Sequence, residues 1–185
     1  METITKFEAA KRQLTVAIQM YFEDGDSVAI HTLACAAREI FEKHCAINKV
    51  HRYFDNIKID FPELEDGEIW AAMNNARNFF KHPDRLGNFE SSIELHDEDN
   101  KAVILIAAYD CSSIMFKETP EIFINYVTWA TATNPRYRTE PYRSFFPELE
   151  ARFPGLHLIP PEIQKQIGKI LVLKKGIEVE GNRPS

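Results

Sequence analysis

Glycine is scarce in this chain, with seven in 185 residues. That is few for an all-β or doubly wound fold, whose turns and bulges draw on glycine. No stretch resembles the glycine-rich loop that cradles phosphates. Cysteine is scarcer. Cys35, Cys45 and Cys111 are an odd number without metal-ligand spacing, and they read as reduced thiols in a cytoplasmic protein. A long apolar run is also missing. The longest, AVILIAAY at 102–109, is too short to cross a membrane, and the amphipathic N-terminus METITKFEAAKRQLTVAIQMYF has no continuous apolar segment of signal-peptide type. No membrane partner is expected. Finally, positive charge is short. The formal net charge of −6 gives no overall basic field to attract nucleic acid, so an RNA contact needs a local basic patch or a second subunit that builds one.

What is present is helical periodicity. Apolar residues make up 44% and charged residues 27%, the balance of a soluble globular chain long enough for one real core. Ile4, Phe7, Ala10, Leu14, Ala17, Ile18 and Tyr21 share one helical face over 3–22. Asp26 or Ser27 caps a second helix over about 28–47, with Ile30, Leu33, Ala34, Ala37, Ile40, Phe41 and His44 inward and Arg38, Glu39, Glu42 and Lys43 beside or outside that face. The small residues Ala34 to Ala37 permit close approach of a neighbour, and the pair forms a helical hairpin.

Residues 48–66 read as a connection with a short helical turn. A third helix covers 68–81, with Ile69, Ala72, Met73, Ala76 and Phe80 inward, and Pro83 ends it. FESSIEL at 89–95 alternates like a short strand. A fourth helix at 100–117 is apolar nearly all round and therefore central. Thr119 and Pro120 start a fifth that reaches 133, with Thr119 as the capping hydroxyl. Beyond 134, prolines break the chain. Arg136, Arg138, Arg143 and Arg152 alternate with Tyr137, Tyr142, Phe145, Phe146 and Phe153, a pattern of snorkelling arginines on a wrapping segment. A helix is expected at 161–171, and a frayed end after it. The fold class is therefore all-α: a helical bundle over 1–135 built on a long N-terminal hairpin, with a proline-rich extension over 136–185.

One segment carries chemistry. In ARNFFKHPDR (76–85), an arginine is followed by four residues and a histidine, with asparagine next to the arginine. The spacing of an arginine and a histidine also occurs at Arg38…His44 and at Arg152…His157, which Pro154 and Gly155 interrupt, but only Arg77…His82 has that asparagine, and it lies on a helix that follows a helical hairpin. Histidine titrates near neutrality, with an ordinary pKa of ~6.5, and suits proton transfer. Arginine supplies a permanent planar cation for a phosphorane. In an ideal helix these two positions are ~140° and ~7.5 Å apart and cannot converge. Pro83 biases His82 out of the helix and so frees its imidazole to swing back.

Arg77-Asn78-Phe79-Phe80-Lys81-His82 resembles the signature of the HEPN superfamily (higher eukaryotes and prokaryotes nucleotide-binding), small α-helical bundles that include many metal-independent ribonucleases of toxin–antitoxin, abortive-infection and CRISPR systems. The resemblance covers about residues 1–135. It implies a metal-independent endoribonuclease that cuts RNA by 2′-OH attack, with no metal and no cofactor. His82 would be the acid/base, Arg77 the phosphate clamp and Asn78 an orienting group. Lys81 and Arg85 would contact phosphate, and Glu39 on the second helix would reach the same cleft. The implied partners are RNA, a second copy of the chain and an antitoxin or inhibitor protein. The alternative is the same helical module binding a nucleotide, RNA or a protein without turnover. Some toxins of this type carry a tyrosine two residues after the histidine. Here that position is Asp84, so control by modification of such a tyrosine is not expected.

Overall fold

The computed structural model describes residues 1–82, 90–137 and 146–173. Among these, every regular element is helical and none is a strand. Thr5 caps α1 (Lys6–Phe22) by accepting the Glu8 amide at 3.1 Å. Asp26 caps α2 (Ser27–Asn48) by accepting the Ala29 amide at 2.8 Å. Then follow α3 (Tyr53–Asp60), α4 (Asp66–Lys81), α5 (Asp97–Met115), α6 (Glu121–Thr133), α7 (Phe146–Arg152) and α8 (Pro161–Leu173).

α1 and α2 form the expected hairpin, and α5 packs along α2. Ala34 and Ala37 are fully buried, so small side chains do bring the backbones close. α2 and α5 run in the same direction: Asn100 meets Ser27 and His31 near both starts, and Cys45 donates to the Asp110 carbonyl further along. Val103, Ile104, Leu105, Ala107 and Ala108 of α5 are all buried. Each buried Val, Ile or Leu side chain stabilises the fold by roughly 1.5–3 kcal/mol relative to exposure.

The far side of the core is aromatic. Phe22 meets Trp129 edge-on at 4.9 Å, and Tyr21 and Tyr126 complete the cluster. α8 closes it. The Trp129 indole donates to the Gln164 carbonyl at 2.8 Å, and a Cβ on Gly168 would come within 2.5–2.6 Å of Phe22 and Trp129. Only glycine lets α8 cross that close.

Several sequence expectations are corrected. Residues 90–95 of FESSIEL form no strand, since alternation needs a neighbouring strand and none exists among the described residues. Ile4 lies before the Thr5 cap and is 46% exposed. Thr119 does not cap α6; its hydroxyl donates back to the Phe116 carbonyl at 2.8 Å, and Pro120 stands at the cap. His44 is exposed, its ring tilted against Phe7 with centres 5.3 Å apart. Ala72 is exposed because α4 touches the bundle along one seam only. Arg38, expected beside or outside the inward face, is 1% exposed. Arg138, Arg143, Tyr142, Phe145 and the end expected to fray lie outside the described residues.

Candidate functional site

α4 is fixed at both ends. At its start the Glu65 amide donates to the Glu68 carboxylate at 2.8 Å, and Trp70 stacks on Phe54 of α3 with ring centres 4.4 Å apart and nearly parallel. At its end the His82 amide closes the last turn onto the Asn78 carbonyl at 3.0 Å. His82 itself has φ −121° and ψ 92°, the extended backbone that a following proline favours. The expectation that the histidine leaves the helix therefore holds.

Between these ends α4 meets α2 through polar pairs. Asn74 donates to the Trp70 carbonyl at 2.8 Å, which turns its side-chain oxygen to accept from Arg38. One turn on, the Arg77 Nε is ion-paired with Glu39, and its Nη1 donates to the Asn78 side-chain oxygen at 2.8 Å. Glu39–Lys43 and Arg38–Glu42, each one helical turn apart, would be the local pairs, but longer-range ones form. Glu39 takes Arg77, and Glu42 lies 3.6 Å from Arg52. The reason is position: α4 and the segment before α3 bring guanidinium groups onto the same face of α2.

Arg77, Glu39 and Lys81 line one cleft with Thr32, Cys35, Ala36 and Phe80; its volume is about 340 Å³. The Arg77 side chain is 21% exposed and that of Glu39 34%. The guanidinium is thus held in place yet reachable from solvent. Burial pushes the Cys35 thiol up to about 11, so it lines the cleft as a neutral thiol rather than a nucleophile. Asn78 joins the group through Arg77. Among the described residues, no hydrogen bond links the half-buried His82 ring to Arg77. Arg85 and Asp84 lie outside the described residues.

The other arginine–histidine spacings do not converge. Arg38 is buried against Asn74 while His44 is exposed. Arg152 lies over the Phe153 ring at 5.3 Å, whereas His157 sits 3.6 Å from Glu150. The acidic run before and within α5 is structural. Asp97 accepts from the Tyr21 hydroxyl at 2.8 Å, Glu98 accepts from Tyr137 and Asn134, and Asp99 accepts the His96 amide at 2.8 Å. Among the described residues, no three histidine, cysteine or carboxylate side chains converge as a metal site would require.

Sequence reasoning missed a second polar set. His31 and Arg38 are seven residues apart on α2, where an ideal helix drifts by only ~20°, so they share the buried face. That register was the available signal. Asp110 is buried on α5, accepts the Tyr53 amide at 2.8 Å, and is pushed up to about 7 by desolvation.

Comparison with family models, with characterised proteins and with solved structures finds no match to this chain.

Proposed function

We propose that the chain is a HEPN-type, metal-independent endoribonuclease acting in bacterial or phage conflict. The observation that carries the reading is the end of α4. There, a guanidinium oriented by Glu39 and Asn78 lines an open cleft, and His82 five residues on has left the helix for extended backbone. In the reaction the ribose 2′-OH attacks the adjacent phosphorus and the 5′-oxygen leaves. One imidazole takes the proton from the hydroxyl, and a protonated one returns a proton to the leaving oxygen. Arg77 offsets the extra charge on the phosphorane, and Lys81 adds a phosphate contact. A homodimer about an axis beside α4 would bring two His82 side chains to one phosphate and double the local positive charge.

The test is cleavage of single-stranded RNA by the full chain in EDTA, with product ends mapped. The expected products carry a 2′,3′-cyclic phosphate and a 5′-OH. His82→Ala and Arg77→Ala each lose about 10²–10⁴-fold in rate, the usual worth of a proton-transfer or charge-stabilising group.

One observation favours a second reading, a helical module that binds a nucleotide, RNA or a protein without turnover: the Arg77 guanidinium is already engaged by Glu39 and Asn78. That reading predicts RNA affinity in the wild type with no cutting.

A further inference from the structure

α5 and α6 pack side by side, and one face of each opens onto a cavity of about 500 Å³. Leu105, Tyr109, Ser112 and Phe116 recur at helical spacing along α5 and its end, as Ile124, Val127, Thr128 and Thr131 do on α6. The volume lies in the range of small-molecule cavities. None of the fourteen residues that line it is Asp, Glu, Lys or Arg, although these four make up 27% of the chain. His51 lines it too, and its Nε2 donates to the Asn56 side-chain oxygen. A phosphate, carboxylate or ammonium group finds no opposite charge on these walls, and removing it from water there is costly. The walls suit an uncharged occupant.

The walls also say what kind of uncharged molecule fits. Tyr53, Tyr109, Phe116 and Tyr137 all line the cavity, and Tyr53 meets Tyr109 edge-on with ring centres 5.3 Å apart. Aromatic walls favour another ring, placed edge-on or offset. Three of the hydroxyls have their protons committed to their own helix. Ser112 donates to the Ala108 carbonyl at 2.8 Å, Thr128 to the Ile124 carbonyl at 2.8 Å and Thr131 to the Val127 carbonyl at 2.7 Å. What each keeps is acceptor capacity. Ser112 and Thr128 are half-buried, not sealed in the core. A ligand that matches them brings an N–H or O–H donor.

Phe116 is the independent sign of a ligand. It ends α5 with φ 47° and ψ −104°, a backbone conformation that is a genuine outlier for a bulky side chain. Glycine is the usual residue where a helix end needs positive φ. Here a phenylalanine holds that position, and it is 77% exposed at the cavity. Packing among the described residues does not account for a ring so exposed. Backbone strain kept for an exposed aromatic points to a contact made outside the chain.

We propose that this cavity binds an uncharged aromatic small molecule carrying an N–H or O–H donor. Its ring packs on Tyr109, Val127 and Phe116, and its donor bonds to the hydroxyl oxygen of Ser112 or Thr128. No residue of α4 lines the cavity, so its occupancy is read without RNA and stands apart from Arg77 and His82.

The experiment is titration of the isotope-labelled full chain with three probes of one shape, 2-naphthol, 2-methoxynaphthalene and 2-naphthoate, followed by amide chemical shifts. The expected result is that 2-naphthol binds more tightly than about 1 mM and moves amides of α5 and α6 along the cavity. 2-Methoxynaphthalene lacks the donor and binds at least about threefold more weakly. 2-Naphthoate carries a charge and binds at least about tenfold more weakly. Phe116→Gly weakens 2-naphthol binding at least about threefold and does not lower the melting temperature, because glycine adopts that backbone without strain. Val127→Trp fills the cavity and weakens binding at least about tenfold. Phe116→Gly decides the matter if the tryptophan variant does not fold. The proposal is overturned if 2-naphthol does not bind, or if either control binds as tightly as 2-naphthol. It is equally overturned if the shifted amides lie away from α5 and α6, or if Phe116→Gly binds as the wild type does.

Discussion

α5 and α4 both carry apolar side chains at helical spacing, yet they are held by different forces. α5 buries Val103, Ile104, Leu105, Ala107 and Ala108 and packs against α1, α2, α3 and α6. α4 buries only Ile69, and its contacts with α2 include Arg38–Asn74, Glu39–Arg77 and the edge-on meeting of His31 with Phe80 at 6.0 Å. A net intramolecular hydrogen bond contributes about 1 kcal/mol and a partly exposed ion pair up to about 1 kcal/mol, whereas a buried aromatic contributes several. The comparison teaches that the rigid bundle and the candidate site are built from different materials. The site sits where polar pairs, rather than a broad buried apolar face, dock the helix on α2.

The sharpest way to break this division is to attack the core first. Trp129→Ala removes the centre of the aromatic cluster and should cost about 3–5 kcal/mol in denaturant unfolding, with all helices lost together. A loss confined to α6 and α8 would contradict the single core.

Asp110 gives the next effect, and it depends on pH. Its native value of about 7 lies above the ~3.9 of an unfolded aspartate, so the native chain binds the proton more tightly. Its contribution to stability is fully present below about pH 4 and is lost as the pH rises through 7. Asp110→Asn keeps an acceptor for the Tyr53 amide and removes the titration. The variant should gain on the wild type between pH 5 and pH 8, by an amount on the order of a few kcal/mol. Parallel melting curves at the two pH values check it, and an unchanged gap would show that the carboxyl is ionised without penalty.

Gly168→Ala tests the close crossing of α8. The added methyl meets Phe22 and Trp129, and overpacking of this kind costs about 1–3 kcal/mol, more than the helix propensity it gains. The smallest global effect belongs to Glu39→Gln, below about 1 kcal/mol. Its signature is local. Amides of α4 should exchange faster than in the wild type while those of α2 and α5 do not change.

The division also explains what could be read from the sequence. Periodicity reports burial, so α1, α2, α5 and α6 were legible, as were the Asp26 cap and the exit of His82 from its helix before Pro83. α3 was visible only as a short helical turn, because Tyr53 and Phe54 dominate an eight-residue helix with little periodicity. α7, with Pro147 in its first turn and Pro154 just after it, was not visible. Ala72 was misplaced because an apolar stripe shows which side of a helix would be buried, not whether a partner covers it. Glu39 and Arg77 were both named, but their pairing competes on paper with Glu39–Lys43, and only the docking of α4 decides it. Arg38 was harder still. A charged residue on the buried face looks like a surface residue until another helix is laid over it.

RNA cleavage in EDTA tests the proposed action of His82 and Arg77 on RNA most directly. The wild type is expected to cut single-stranded RNA to 2′,3′-cyclic phosphate ends, and His82→Ala, folded and of the same oligomeric state, to cut about 10²–10⁴-fold more slowly. Equal cleavage by the two proteins, or none by the wild type under conditions where it binds RNA, would contradict it.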